Sequence, residues 1–248
     1  MMPKPTEAFS RPANPKDRII VALDLDSANE AREIARELTG AVGAFKIGLQ
    51  LFASAGPELV REFTDAGARV FLDLKFHDIP NTVAKASVEA IRLGVWMFNV
   101  HVSGGSEMMK RTVAEVDEAC ARGEIARPLI IGVTVLTSGD VYTINEVGVG
   151  GDVESQVVRL ARLANNCGLD GVVASPHEVG AIRMAIGDRD FLTVTPGIRP
   201  AFATDDDQKR VTTFGQAMAN GSDYVVIGRP IVRANDRLAA VEQIIAEN

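Results

Sequence analysis

The chain has 248 residues, 46% hydrophobic and 24% charged, the balance of an ordinary globular protein long enough to bury a full apolar core without staples. A net charge of −7 argues against a partner held through a nucleic-acid phosphate backbone, and no apolar run approaches the roughly 18 residues a bilayer span needs. Two cysteines, Cys120 and Cys167, point to a reducing cytoplasm rather than a disulfide framework.

Residues 1–17 hold three prolines before Asn14 and no apolar signal region, and read as a flexible tail ahead of one domain spanning 18–248. Short β-rich runs then alternate with helical patterns. The strands are RIIVALD (18–24), AFKIGL (44–49), ARVFLDLKF (68–76), WMFNVHV (96–102), LIIGVTVL (129–136), GVVAS (171–175), FLTVTPG (191–197) and DYVVIG (223–228). Their near-continuous apolar character is that of parallel strands buried on both faces. Between them, Ser27-Ala28-Asn29-Glu30 is a capping box before AREIARELTG, which Gly40 stops. Segments 56–67, 81–94, 106–123 and 152–168 each end in a glycine at a C′ position, and 231–248 has apolar residues at helical spacing. Eight strand–helix alternations predict a single (β/α)8 barrel. A doubly wound open sheet is the alternative, but no G-x-G-x-x-G turn follows the first strand.

Charges interrupt the apolar strands at one end. Asp24 ends the first strand, Lys46 lies within the second, and Asp73 and Lys75, two apart and hence on one face, interrupt the third. Barrel active sites collect at the carboxyl ends of strands, where these residues fall. Two readings stand: a salt-bridge cluster that closes one barrel end, or a catalytic patch of alternating sign. Asp78, five residues beyond Asp73 and just before Pro80, belongs to the loop leaving the third strand, where it curls over the site or reaches a neighbouring subunit. Three histidines, His77, His101 and His177, show no metal-ligand spacing, so no metal is expected.

The seventh strand runs into Gly197-Ile198-Arg199-Pro200 and the eighth into Gly228-Arg229-Pro230. Loops after these two strands bind phosphate in many barrels, and glycine followed by arginine suits an anion. The polar segment 201–215 between them reads either as a mobile lid or as an ordinary surface loop.

FLDLKFHDIPNTV (71–83) resembles the active-site segment of the bacterial orotidine 5′-phosphate decarboxylases, and VALDLD, FKIGLQLF, GVTVLTS, VTPGIRP and DYVVIGRPI follow in that family's order. The resemblance implies a cytoplasmic homodimer that decarboxylates orotidine 5′-monophosphate to uridine 5′-monophosphate without a cofactor. It implies that Lys75 protonates C6, that Asp73 lies beside the substrate carboxylate, and that Lys46, Asp73, Lys75 and Asp78 form a charged network with Asp78 supplied by the other subunit. It places Asp24 and Lys46 on ribose hydroxyls, Thr82 on the ribose of the neighbour's ligand, and Ile79 against the departing CO2. Thr137, or the adjacent Ser138, falls near the pyrimidine, and Gln208, Gly228 and Arg229 hold the phosphate with Arg199 close by.

Three rivals differ in chemistry. A phosphosugar decarboxylase or synthase of the same superfamily would need Mg²⁺. A Schiff-base aldolase would use Lys75 or Lys46 as a nucleophile, which flanking carboxylates disfavour. A silent nucleotide-binding barrel would have no use for a buried catalytic ammonium.

Overall fold

A computed structural model describes residues 12–123, 125–200 and 212–247. Eight parallel strands close into a barrel in chain order, β1 (Ile19–Ala22), β2 (Ala44–Gly48), β3 (Val70–Phe76), β4 (Met97–His101), β5 (Leu129–Val133), β6 (Gly171–Val173), β7 (Leu192–Pro196) and β8 (Tyr224–Ile227), with β8 paired back onto β1. The two-sided apolar character of the strands has a direct cause. Ile20, Ala22, Ala44, Phe71, Met97, Leu129, Ile131, Leu192, Val194, Tyr224 and Val226 fill the barrel interior. The alternate residues, among them Ile19, Val21, Phe45, Ile47, Leu72 and Phe98, pack outward against the helices. Each such side chain contributes roughly 1.5–3 kcal/mol by leaving water, which makes the strand register hard to slip. At the amino end Tyr224 meets Trp96 edge-on at 5.2 Å, Arg69 lies over the Trp96 ring, and burial pushes the Tyr224 phenol up to about 12.

Ten helices connect the strands among the described residues: α1 (Ala28–Leu38), α2 (Leu49–Asp65), α3 (Pro80–Arg92), α4 (Gly105–Gly123), α5 (Val141–Glu146), α6 (Val153–Asn166), α7 (Val179–Ile186), α8 (Phe214–Ala219), α9 (Arg229–Val232) and α10 (Arg237–Ala246). Their ends follow local chemistry. Ser27 Oγ accepts from Glu30 N–H at 3.3 Å, and Asp140, Asp152 and Asp236 accept from Thr143, Ser155 and Ala239 N–H at 2.8–2.9 Å. Gly40, Gly67, Gly94 and Gly168 follow helices in the left-handed region, as expected of C′ residues. Gly123 does not; it is the last residue of α4 itself.

Several boundaries differ from the sequence reading. The helix expected from Gly56 begins at Leu49; Gly56, at φ 71° and ψ −175°, breaks the helical path, and Pro57 restarts it. The segment 231–248 is divided between α9 and α10, because Asp236 caps a new helix. Strand β1 ends at Ala22, so Asp24 stands on the following loop rather than in the strand. Of the N-terminal segment, residues 1–11 lie outside the described residues. Residues 15–18 form a 3-10 turn in which Lys16 Nζ donates to Gly40 O at 2.8 Å. Among the described residues no helix is long and apolar enough to cross a membrane.

Candidate active site

The interior faces of the first four strands change character along their length. Ile20 and Ala22 of β1 lead to Asp24, Ala44 of β2 to Lys46, Phe71 of β3 to Asp73, and Met97 of β4 to Asn99 and then His101. An alternation that buries apolar groups at the amino end therefore delivers polar ones to the carboxyl mouth. Four of the sequence-predicted residues meet there. Lys75 Nζ donates to Asp73 Oδ1 at 2.7 Å, Lys46 Nζ lies 3.3 Å from Asp73 Oδ2, and Lys46 Nζ donates to Asp24 Oδ1 at 2.8 Å. Signs alternate through Asp24, Lys46, Asp73 and Lys75.

Exposure is graded along this chain of charges. The side chains of Lys46 and Asp73 are 9% and 12% exposed, whereas that of Asp24 is 59% exposed. Burial alone would raise the Asp73 carboxyl. The charges of Lys46 and Lys75, with hydrogen bonds from Lys75 and Asn99, outweigh it and hold Asp73 below its ordinary value. His101 is lowered as well, but here burial is itself the first cause, followed by the charges of His77 and Lys75. The His77 and His101 rings lie 5.3 Å apart.

Lys75 reaches Asp73 by a route that strand parity did not foresee. Its backbone is left-handed, at φ 52°, the one non-glycine residue with positive φ among those described. The β3–β4 register shifts between Leu72 and Phe76, and Lys75 N–H donates to the side chain of Asn99 at 2.8 Å. Asn99 and His101 were missed as site residues. The available signal was their position on WMFNVHV, where both share the interior face with Met97.

The remaining predicted residues surround this cluster without joining it. Asp78 is exposed and accepts from Ile79 N–H at 2.6 Å; no ion pair joins it to Lys75 within the described residues of one chain. Ile79 is 67% exposed, and Thr82 lies exposed in the first turn of α3. Thr137 and Ser138 are both exposed on the loop after β5. Beyond β7, Gly197 turns at φ 80°, and buried Arg199 donates its N–H to Thr212 O at 3.1 Å. Gly228 caps α9, with exposed Arg229 at its first position and Pro230 next. Gln208 and most of the segment 201–215 lie outside the described residues, although its end is defined, since Thr213 and Gln216 form a reciprocal cap on α8.

As for a metal, the described residues contain no group of three or more His, Cys, Asp or Glu side chains that could hold one. Asp24 and Asp73 already share the ammonium of Lys46.

The family model of the orotidine 5′-phosphate decarboxylase / HUMPS family matches residues 17–244. The chain belongs to this family. It is 55% identical over 232 residues to the orotidine 5′-phosphate decarboxylase of Syntrophotalea carbinolica, covering 94% of this chain and 95% of the relative. The orotidine 5′-phosphate decarboxylase of Geobacter sulfurreducens is 52% identical over 232 residues, with 94% and 96% coverage. Among solved structures, the orotidine 5′-phosphate decarboxylase of Lactobacillus acidophilus superposes with a TM-score of 0.81 at 40% identity, covering 92% of this chain and 97% of that one. The (β/α)8 architecture read from the sequence is thus shared with a family member. The charged mouth lies inside the matched span.

Proposed function

We propose that the chain decarboxylates orotidine 5′-monophosphate to uridine 5′-monophosphate and CO2, completing uridine 5′-monophosphate formation without metal or cofactor, with Lys75 as the proton donor. The observation that carries this reading is the Asp73 carboxylate held between the ammonium groups of Lys75 and Lys46, at 2.7 and 3.3 Å, in the mouth of a barrel of this family. In the reaction the bond from C6 to the carboxylate breaks, its electron pair stays on C6, and CO2 departs. That pair lies in the ring plane and cannot spread into the ring carbonyls, so fixed charge at C6 is the available stabiliser. The Lys75 ammonium supplies that charge and then transfers its proton to C6; solvent reprotonates the amine. Asp73 orients Lys75 and, placed beside the substrate carboxylate, repels it until CO2 leaves. A divalent ion at Asp73 would compete with two ammonium groups already in place.

Asp24 and Lys46 bind ribose hydroxyls, and Thr137 lies near the pyrimidine. Arg229 and Gly228 hold the phosphate with Gln208, Arg199 standing close by. Its binding energy supports closure and exclusion of water. The exposure of Asp78 and Thr82 at the loop leaving β3 supports a homodimer in which the partner's Asp78 and the partner's Thr82 complete each site, with Ile79 lining the pocket near the departing CO2.

One assay tests both parts. Loss of substrate absorbance is followed in excess EDTA for the wild type, Lys75→Ala, Asp78→Ala, and a mixture of the two variants. Turnover by the wild type and its loss by at least about 10³-fold in each variant are expected. Subunit exchange in the mixture should restore about a quarter of the wild-type rate, because half the dimers then hold one intact site. A folded wild type without turnover would refute the reaction, a fully active Lys75→Ala the proton donor, and a dead mixture the shared site.

A further inference from the structure

We infer that Asn99 is a positioning residue for the reaction, holding the backbone of Lys75 in its left-handed turn so that the ammonium meets Asp73. This rests on the proposed role of Lys75. Strands β3 and β4 pair Leu72 with Phe98 and next pair Phe76 with Val100. Three residues of β3, Asp73 to Lys75, therefore stand opposite a single residue of β4, Asn99. In this irregular stretch Lys75 takes φ 52°, a conformation that costs an L-residue with a side chain on the order of 1 kcal/mol or more. Such a residue keeps its shape only when its surroundings hold it there.

Asn99 supplies the hold at two points. Its Oδ1 accepts from Lys75 N–H at 2.8 Å, and its Nδ2 donates to Asp73 Oδ1 at 2.7 Å. The chemistry fixes the direction of the amide, because a carboxylate only accepts and a backbone N–H only donates. Lys75 Nζ donates to that same Asp73 oxygen, so backbone, amide, carboxylate and ammonium close a ring. Asn99 is 1% exposed, leaving no water to substitute for either bond. An apolar residue of similar size would fill the space and hold neither group. Aspartate would accept from Lys75 N–H but set a second carboxylate against Asp73.

Asn99→Ala and Asn99→Asp in the full chain test the role, beside wild type and Lys75→Ala. The expected result for Asn99→Ala is a kcat lower by about 10- to 100-fold with KM within about threefold, since misplacing a reacting group costs turnover rather than affinity. Asn99→Asp is expected to lose more. The acid limb of the kcat/KM profile should move to higher pH in both variants, because Asp73 loses a hydrogen bond that favours its charged form. In Asn99→Ala the titratable groups facing Asp73 are otherwise unchanged, namely Lys46 on β2, Lys75 on β3 and His101 on β4, whereas Asn99→Asp adds a carboxylate on β4. A residue that only fills space would change thermal stability and active fraction but leave kcat per active site and the acid limb in place. Either variant folding with wild-type kcat and profile overturns the inference. Wild-type turnover decides the reaction separately. If the wild type is inactive, unfolding against pH decides Asn99: a deficit in Asn99→Ala that narrows as pH falls through the carboxylate range supports it, and a constant deficit overturns it.

Discussion

Replacing Lys46 by methionine keeps an unbranched side chain of similar bulk and removes its charge, which isolates what the ammonium does for Asp73. Two carboxylates lose a partner, unequally. Asp24, 59% exposed, exchanges its ion pair for water at a cost of about 0–1 kcal/mol. Asp73, 12% exposed, keeps Lys75 and Asn99 on Oδ1 but loses the cation facing Oδ2. A buried charged acceptor left unmatched costs about 1–3 kcal/mol, and the whole substitution should therefore cost roughly 1–4 kcal/mol. In a chain of this size that lowers Tm by about 2–16 °C. The pH dependence has a definite sign. The folded-state pKa of Asp73 is depressed, so its stabilising contribution is present above the ordinary carboxylate range and fades as pH falls through the lowered value. Without Lys46 the upward push of burial is less opposed, and Asp73 protonates at higher pH. The deficit of Lys46→Met should be full at neutral pH and shrink on acidification. Thermal and urea unfolding of wild type, Lys46→Met, Asp73→Asn and the double variant across pH measure this. The double variant should recover at least half of the single variant's loss at neutral pH. A double variant as unstable as the sum of the two singles, or a deficit that grows in acid, would refute the reasoning.

Arg229→Ala should raise KM for orotidine 5′-monophosphate by about 100-fold, the loss of a charge-assisted contact worth about 3 kcal/mol, while kcat falls less; an unchanged KM in steady-state kinetics would remove Arg229 from the phosphate site. Gly43→Ala acts at the opposite end of the barrel. Its Cβ would stand 2.6 Å from the carbonyl carbon and 2.9 Å from the Cα of Asp17, both backbone atoms unable to swing away. A cost of about 1–3 kcal/mol and a Tm lower by several degrees are expected, with kcat per folded molecule unchanged; a Tm within about 1 °C of wild type would contradict the packing argument.

The strands were legible because burial on both faces writes them as apolar runs, and the site was legible because Asp24, Lys46, Asp73 and Lys75 break those runs at one end. Asn99 goes unmarked in the sequence, and His101 reads there only as an interior side chain, for the converse reason. In WMFNVHV they sit inside an otherwise apolar strand and read as interior polar residues, which the packing of β4 alone explains. The left-handed backbone of Lys75 was illegible because it arises from the mismatch between two strands rather than from any glycine or turn signal. The first part of α2 was hidden by Gly56-Pro57, which signals a helix start so strongly that the turns before it were passed over. Short α5, α7 and α8 lacked the length for a periodic pattern to stand out.

Closure of β8 onto β1 leaves the sheet without an edge. No strand of another molecule can add itself to this one through backbone hydrogen bonds, the route by which open sheets recruit partners and aggregate. Whatever assembles with the barrel must be recognised through side chains on its helices and loops. The loop leaving β3 presents Asp78 and Ile79 to solvent within a few residues of Lys75. On the proposed shared-site reading, changes to that loop are expected to alter recognition and turnover together, and substitutions that separate the two are to be sought on the outer helices.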